Sequence, residues 1–157
     1  MRLSHVPKHI GRYMGRIVVH FHGKVKDKSM ATLIQKYSER ILPRAIKIET
    51  HSEKLSVDDY LKQLQSKQGT LILLDEGGSQ YSSEELAELC KKWALQGEDT
   101  HLAIGPFDGW PKGVSTQEIA RVSLSAMTLP HELASVVLLE QLYRATEINR
   151  GSGYHKA

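Results

Sequence analysis

The feature that most constrains how this chain can fold is an alternation of strand-like and helix-like segments, repeated about five times in 157 residues. The strand-like segments are rich in β-branched or aromatic residues, or alternate in polarity. They cover residues 16–23, 45–51, 70–78, 101–110 and 120–129. Such alternation predicts an α/β fold with a mostly parallel five-stranded sheet and helices on both faces.

Between these strands, apolar residues recur at helical spacing, and capping residues mark where helices begin. Residues 27–41 carry the first such pattern. Ser56 is the predicted N-cap of the second helix, and Ser82 with Glu85 forms a capping box at the start of the third. The last helix is predicted over residues 130–148. It opens with a proline, which suits a first turn because that position needs no backbone N–H donor.

The length and the hydrophobic content are those of one globular domain without a membrane span. No apolar run approaches the roughly 18 residues that cross a bilayer. The first strand begins soon after Met14, so we predict a single domain over residues 15–157. A basic N-terminal extension, residues 1–14, precedes it.

Positive charge is concentrated near the start of this sequence. Residues 1–28 contain seven Lys or Arg and one acidic residue, although the net charge of the whole chain is only +3. Neutralising phosphates favours nucleic acid binding whatever the base sequence, so this segment predicts a polyanionic partner, RNA or DNA. The alternative for residues 1–14 is a solvated, partly disordered tail.

The cysteine and histidine content argues against a disulfide or a metal site. Cys90 is the only cysteine and has no internal partner, which fits a reducing compartment and a cytoplasmic location. We expect its side chain to fill the core. Among the eight histidines, only His20 and His22 have a spacing that points two rings the same way from a strand, so no metal is predicted.

Three segments rich in small residues end or follow predicted strands and mark the candidate site. They are LLDEGG (73–78), AIGPFDG (103–109) and LSAMTLPH (124–131). Ligands of parallel sheets bind beyond the carboxyl ends of the strands, where these segments are expected to meet. The small, uncharged residues of LSAMTLPH would let the main chain hold a cofactor.

The last helix is apolar on nearly all sides over its first three turns, where it carries Leu133, Val136, Val137, Leu138, Leu139 and Leu142. A helix of this kind must be covered on two sides, and a sheet covers only one of them. The second side predicts a symmetric homodimer, with burial inside a single domain as the alternative.

These segments together resemble the ribosomal RNA large subunit methyltransferase H family of the SPOUT, or trefoil-knot, methyltransferases. The resemblance rests on LILLDEGG, AIGPFDG, SLSAMTLPHELASVVLLEQLYRA, the terminal GYHKA and the earlier RIVVHFHGKVKDKSM. It covers about residues 16–156 and is strongest from residue 70 onward. It implies an S-adenosylmethionine-dependent enzyme that methylates N3 of a pseudouridine in large-subunit ribosomal RNA. Such an enzyme acts on the assembled ribosome as a homodimer and has a deep C-terminal trefoil knot.

The resemblance also implies functions for particular residues. The implied donor-binding residues are Leu74, Gly105, Leu124, Ser125, Ala126, Met127, Thr128 and Leu129. The group that accepts the N3 proton is expected near this loop. His131 is the first candidate, and His155 with Tyr154 in the terminal tail is the second. A solvent-facing or capping role is the alternative for His131, and a frayed end is the alternative for the tail.

The implied RNA-binding residues are basic and lie in two parts of the chain. They are Lys24, Lys26, Lys28, Arg144 and Lys156. For the first three, the alternative is a solvated turn that contacts no RNA. Arg144 could instead form a salt bridge within its helix or in a dimer.

The chain departs from the family pattern at one turn. Where the family usually has Ile-Gly-Gly, this chain has Ile104-Gly105-Pro106. A proline there removes backbone freedom and one N–H donor. The change motivates an alternative function, a non-catalytic knotted RNA-binding module that has lost donor binding. A hydrolase that seats phosphate at GGSQYSSEE is a further alternative, although the chain lacks a Walker lysine and a dinucleotide fingerprint.

Overall fold

A computed structural model describes residues 15–112 and 118–156 of the chain. Five strands form one parallel sheet: β1 (Ile17–His22), β2 (Ile46–His51), β3 (Thr70–Gln80), β4 (Thr100–Ile104) and β5 (Ala120–Ser123). Their order across the sheet is β2-β1-β4-β3-β5. β1, β4 and β3 are therefore interior strands, and β2 and β5 form the two edges.

In residues 15–112 and 118–156, four α-helices accompany the strands, and side chains cap the first three. The helices are α1 (Lys28–Ile41), α2 (Val57–Gln65), α3 (Ser83–Leu95) and α4 (His131–Asn149); short 3₁₀ turns follow at Leu42–Arg44 and Gly153–Lys156. Asp27 and Ser56 each accept a backbone N–H from the first turn of α1 and α2. Ser82 and Glu85 complete the predicted capping box of α3.

The helices cover the two faces of the sheet unequally. α1, α3 and α4 lie on one face, with α4 in contact with both of the others. Cys90 is buried in this main core as predicted, and its burial raises the pKa of the thiol to about 12. Of the helices in the described residues, α2 covers part of the other face. There Tyr60, Leu61 and Leu64 pack against Leu73 and Ala103.

β3 runs two residues further than the sequence predicted because a bulge carries it past the Asp-Glu-Gly-Gly run. Its register against β5 shifts between Leu74 and Ser79, both of which align with Val122. A Cβ on Gly78 would lie 2.7 Å from main-chain atoms of Arg121 and Val122. The two strands approach too closely there for a side chain, so the bulge requires glycine at residue 78.

The predicted class and elements are confirmed: the fold is α/β, with five parallel strands and helices on both faces. Some boundaries differ from those predicted: β4 ends at Ile104 and β5 at Ser123, before the turn and loop that follow them. Pro130 occupies the N-cap of α4 rather than its first turn, with ψ at 143°, and the helix begins at His131. The basic extension, residues 1–14, lies outside the described residues. Within the described ranges, no helix is long and apolar enough to cross a membrane.

Candidate functional site

A cavity of about 620 Å³ opens beyond the carboxyl end of β4, between the β3 bulge and the loop after β5. Its wall comes from the three segments that the sequence singled out. Residues 74–76, 104–110 and 124–131 line it, apart from Ala126, together with Ala134 in α4. Pockets for organic ligands commonly enclose about 300–1,000 Å³, so the cavity has the size of a cofactor site.

Of the donor-binding residues implied by the sequence, all but one line this cavity. They are Leu74, Gly105, Leu124, Ser125, Met127, Thr128 and Leu129. The exception, Ala126, is exposed. One cavity thus brings together residues from three separate segments, while their individual contacts with a donor stay predictions.

Two side chains on the face of the sheet that α2 covers hold the ends of β3 and β4 in place at the cavity. Trp110 Nε1 donates to the carbonyl of Leu74 at 2.9 Å, and the Tyr60 hydroxyl donates to the carbonyl of Ile104 at 2.8 Å. The two rings stack with centroids 5.6 Å apart. Burial raises the pKa of Tyr60, so its hydroxyl stays protonated and remains a donor. These bonds fix the end of β4 against the start of the β3 bulge.

The turn after β4 accommodates the proline that departs from the family pattern. A Cβ on Gly105 would lie 3.0 Å from the Trp110 indole, so a small residue is required at that position. Pro106 lines the cavity, and its carbonyl accepts the N–H of Gly109 at 2.8 Å. The cavity is therefore present with proline in its wall.

The loop between β5 and α4, residues 124–130, is ordered by hydroxyl groups. Ser123 donates to the carbonyl of Ser125 at 2.8 Å, and the Ser125 hydroxyl accepts the N–H of Met127 at 2.9 Å. The Thr128 hydroxyl donates to the Glu76 carboxylate at 2.7 Å. Because these bonds tie the loop to itself and to β3, its main chain is presented to the cavity in a defined conformation.

His131 lies on the rim of the cavity, as the first residue of α4, and is half-buried. Phe107, from the turn after β4, meets it edge to face with ring centroids 5.8 Å apart. Phe107 and Met127 are 84% and 78% exposed. The rim therefore combines an imidazole with two solvent-facing apolar side chains.

The lysine-rich turn after β1 is attached to the same end of α4. The Glu132 carboxylate accepts the backbone N–H groups of Lys26 and Asp27, at 2.9 and 3.1 Å. The side chains of all three predicted lysines in residues 24–28 are exposed. Since Glu132 follows His131 directly, the structure brings these lysines next to the cavity rim.

The C-terminal tail lies against the other end of α4. Arg144 forms the salt bridge weighed for it, with Glu140 at 2.9 Å, and its guanidinium lies over the Tyr154 ring. The Tyr154 hydroxyl donates to the same carboxylate at 2.9 Å, and burial together with this bond raises the pKa of Tyr154. The guanidinium also donates to Nδ1 of His155 at 3.3 Å. The tail is therefore not frayed in the structure.

His131 and the tail lie far apart within one chain. From residue 131 to residue 144 the helix axis advances about 20 Å, at ~1.5 Å per residue. The structure thus places His131 at the cavity but does not bring Tyr154 and His155 there. Lys156 is exposed at the tail end of α4.

A chain of three hydrogen-bonded histidines lies on the α2 face of the sheet, and no sequence pattern predicted it. His20 Nδ1 is 2.8 Å from His51 Nε2, and His20 Nε2 is 2.8 Å from His101 Nδ1. The chain ends on the Gln63 side-chain amide at 3.0 Å and on the Gln68 carbonyl at 2.9 Å. The three rings come from β2, β1 and β4, so strand order brings them together.

Among residues 15–112 and 118–156, one group of side chains has ligand atoms close enough to hold a metal ion, and it includes two of these three histidines. His20, Glu49 and His51 have such atoms within 4.8 Å of one another. The two imidazoles are already joined by a hydrogen bond, and Lys67 pairs with Glu49 at 3.2 Å. Hydrogen bonds and an ion pair therefore account for the cluster. His22, the predicted companion of His20, bonds instead to a backbone carbonyl.

Several cavity residues were not predicted as site residues. They include Asp75, Glu76, Phe107, Trp110 and Ala134. The first three lie in the segments at the strand ends, so treating every residue of those segments as a candidate would have found them. Ala134 follows from helical periodicity, one turn after the loop. No sequence signal points to Trp110, because its bond to β3 depends on how β3 and β4 pair.

The parallel sheet, with a cavity at its carboxyl edge and a small-residue loop leading into the last helix, suits a donor-binding methyltransferase. Residues 15–155 match the model of a family described as "Predicted SPOUT methyltransferase". The chain belongs to the SPOUT methyltransferase family, whose members use S-adenosylmethionine as methyl donor. The predictions of a methyltransferase and of this donor are confirmed.

Similar proteins indicate which group within the SPOUT family the chain resembles. The chain is 40% identical to the ribosomal RNA large subunit methyltransferase H of Koribacter versatilis, over 85% of this chain and 92% of that protein. Proteins of the same name from Acinetobacter baumannii and Acinetobacter baylyi are 47% and 45% identical over 88 and 87 residues, 55% of each protein. The resemblance to the ribosomal RNA large subunit methyltransferase H family is confirmed.

Proposed function

We propose that this chain transfers a methyl group from S-adenosylmethionine to N3 of a pseudouridine in large-subunit (23S-type) ribosomal RNA. It acts in the cytoplasm on the assembled ribosome, as a homodimer with a C-terminal trefoil knot. The observation that carries the proposal is the cavity formed by the three strand-end segments, with His131 on its rim. The names of the relatives support the RNA substrate.

The cavity suits this donor in size and in the character of its wall. Gly105 and the loop at residues 124–130 offer main-chain groups for polar contacts with the donor, while Leu74, Leu124 and Leu129 offer apolar surface. Bound S-adenosylmethionine supplies a methyl group already activated by the positive sulfur. The residues of the chain then have to hold the acceptor in line with the donor at short range.

The acceptor nitrogen carries a proton that must leave before it can take a methyl group. His131 supports this step because its imidazole lies between the cavity and the solvent, where a target base enters. An imidazole nitrogen accepts the N3 proton and then releases it to water. His131 is therefore the proposed proton acceptor.

A homodimer accounts for the distance between His131 and the tail. Tyr154 and His155 lie about 20 Å along α4 from the cavity of their own chain, so they serve a site only across a two-fold axis. Leu133 and Val137 on α4 are only half-buried within one chain and supply apolar surface for a partner. Tyr154, His155 and Lys156 of each protomer then complete the site of the other.

Replacing Lys24, Lys26 and Lys28 together by alanine should weaken binding to large ribosomal subunits and make it less dependent on salt. Each lysine that neutralises a phosphate contributes about 0.7–0.9 to the slope of log K against log salt, so the slope should fall by up to about 2–3. Filter binding between about 50 and 200 mM salt measures both quantities.

A triple variant of exposed lysines on α2 and α3, Lys62→Ala, Lys91→Ala and Lys92→Ala, removes the same charge away from the rim. Its salt dependence should stay close to that of the unaltered protein. An equal loss in both triple variants would show that net charge, rather than the turn after β1, drives RNA binding.

The direct test of the function is methylation of ribosomes with isotopically labelled donor, followed by mass spectrometry of the RNA. We expect label on N3 of one pseudouridine of the large-subunit RNA. Donor binding by calorimetry without any labelled RNA would contradict the proposed substrate. A folded protein that fails to bind millimolar donor would instead support the non-catalytic module motivated by Pro106.

A further inference from the structure

Phe107 is the most exposed large apolar side chain in the part of the chain that the structure describes, at 84%. Its backbone is nevertheless held on both sides. Pro106 and Gly109 close the turn around it by a hydrogen bond of 2.8 Å, and Gly109 has a φ of 80°, which favours glycine. Trp110, just beyond, is bonded to Leu74. The turn therefore presents the Phe107 ring to solvent in a defined place.

The exposed ring is one of two large solvent-facing apolar side chains that line the cavity. Met127, which also lines the cavity, is 78% exposed, and His131 contacts Phe107 edge to face. Single exposed apolar residues are common on protein surfaces, but apolar groups gathered at the mouth of a pocket indicate a ligand. The ligand must have a flat or apolar surface to cover this rim.

The charge next to the rim indicates what else the ligand carries. The turn at residues 24–28 holds three exposed lysines and is bonded through Glu132 to the first turn of α4. A ligand that combines a flat ring with nearby negative charge matches an unpaired nucleotide of RNA. Such bases stack on aromatic side chains while lysines bind the phosphates.

We propose that Phe107 is the stacking platform for the target base: an unpaired base lies on its ring and presents its edge to His131. This inference rests on the proposed function and adds to it the residue that positions the acceptor. It also gives Phe107 a role in selecting the substrate, because a base held in a duplex cannot reach the ring.

The test compares four substitutions, Phe107→Ala, Phe107→Leu, Phe107→Tyr and Phe107→Trp, in steady-state methylation of large ribosomal subunits. Stacking on an aromatic side chain contributes roughly 5- to 150-fold in affinity per base, so alanine should raise KM for the subunits at least about fivefold. Tyrosine and tryptophan should stay within about twofold of the unaltered protein, since both keep an aromatic face. The Kd for donor, measured by calorimetry, should change by less than about twofold in all four.

The Phe107→Leu variant distinguishes stacking of the target base on residue 107 from simple packing of residue 107 against His131. It keeps apolar bulk but has no aromatic face, so the proposal requires leucine to behave like alanine. A leucine variant with the KM of the unaltered protein would overturn the proposal. Leu95→Ala is the matched control, because Leu95 is 81% exposed at the end of α3 and lines no part of the cavity; its KM should not change.

Fluorescence tests the contact without turnover, which keeps it separate from the proposed reaction. A base that stacks on the indole of Phe107→Trp should quench it when large subunits are added, beyond any quenching of the two native tryptophans in the unaltered protein. No extra quenching would overturn the platform even if methylation is observed. Extra quenching without methylation by the unaltered protein would sustain the platform and defeat the proposed reaction.

Discussion

The His131→Gln variant is expected to methylate ribosomal RNA roughly 10²–10⁴-fold more slowly than the unaltered protein, which is the usual contribution of a positioned proton acceptor. Glutamine keeps a polar side chain on the cavity rim but cannot take up the N3 proton. Single-turnover measurements with saturating donor and large subunits isolate this step. The rate of the variant should rise with pH, because the target nitrogen then loses its proton to solvent without help from the protein. Donor affinity should change by less than about twofold.

Substitutions in the tail test whether each active site is shared between two protomers. If Tyr154 and His155 serve the partner's cavity, His155→Gln should also be slow, and co-expression with His131→Gln should restore activity. In such a mixture about a quarter of the sites would carry neither substitution, since each intact site draws His131 from one protomer and His155 from the other. No restoration, with both single variants slow, would contradict the shared site. A His131→Gln variant of normal rate would remove that residue from the mechanism.

The second large effect concerns His20, whose burial should make the protein lose stability as the pH falls. The side chain is 0% exposed, and burial, with the neighbouring charges of His101 and His51, lowers the pKa of His20 to about 3. Glu49 acts in the opposite direction, and Lys67 adds to the lowering. In the unfolded chain a histidine has a pKa of about 6.5.

The direction of this pH effect depends on whether the folded or the unfolded protein binds the proton. Below about pH 6.5 the unfolded chain takes up a proton at this position, while the folded protein keeps His20 neutral until the pH nears 3. The stabilising contribution is therefore complete above the unfolded pKa and is lost as the pH falls through this window. Between pH 7 and pH 5 the loss from His20 should be about 2 kcal/mol of the free energy of unfolding.

Urea unfolding at pH 7, 6 and 5 measures this loss, with His20→Gln as the comparison. The variant should be less stable at pH 7 because His51 and His101 lose their partner, yet its stability should fall less steeply with pH. Histidine NMR titration supplies an independent readout, since the ring of His20 should show no protonation between pH 7 and 5. A ring that titrates near pH 6.5 in the folded protein, or equal pH slopes in both proteins, would contradict the prediction.

Hydrogen-bond counting explains why a neutral chain of imidazoles is stable there. Three neutral rings supply three N–H groups, while the chain makes four contacts, from the Gln68 carbonyl to the Gln63 side chain. The structure places Oε1 of Gln63 toward His51, so the Gln63 NH₂ group supplies the fourth donor after a flip of this amide.

Local sequence signals predicted most of the fold. Ser56 and Ser82 cap helices because their side chains need only the next few residues to find a backbone N–H, and such short-range chemistry is visible in sequence. The site segments were predictable for a similar reason. Parallel strands place all their carboxyl ends at one edge, so LLDEGG, AIGPFDG and LSAMTLPH were expected at the same edge of the sheet. They line one cavity because β4, β3 and β5 are neighbours.

The contacts that could not be predicted depend on which strands are neighbours. The histidine chain forms because β2 and β4 flank β1, and no spacing along the chain encodes that order. The stacking of Tyr60 on Trp110 likewise joins α2 to the turn after β4. Within one chain, the length of α4 separates Tyr154 and His155 from His131, a distance that local sequence patterns do not show. The assignment of the three residues to one site stays a prediction.

A single carboxylate joins the lysine turn after β1 to the start of α4. Glu132 accepts two successive amides of the lysine turn while forming part of the first helical turn after His131. Phosphates bound to that turn, as proposed, would therefore pull on the imidazole one residue away, through a bond that neither ligand touches. Short RNA fragments that fill the cavity without reaching the lysines would exert no such pull, and they would be turned over more slowly than their affinity suggests.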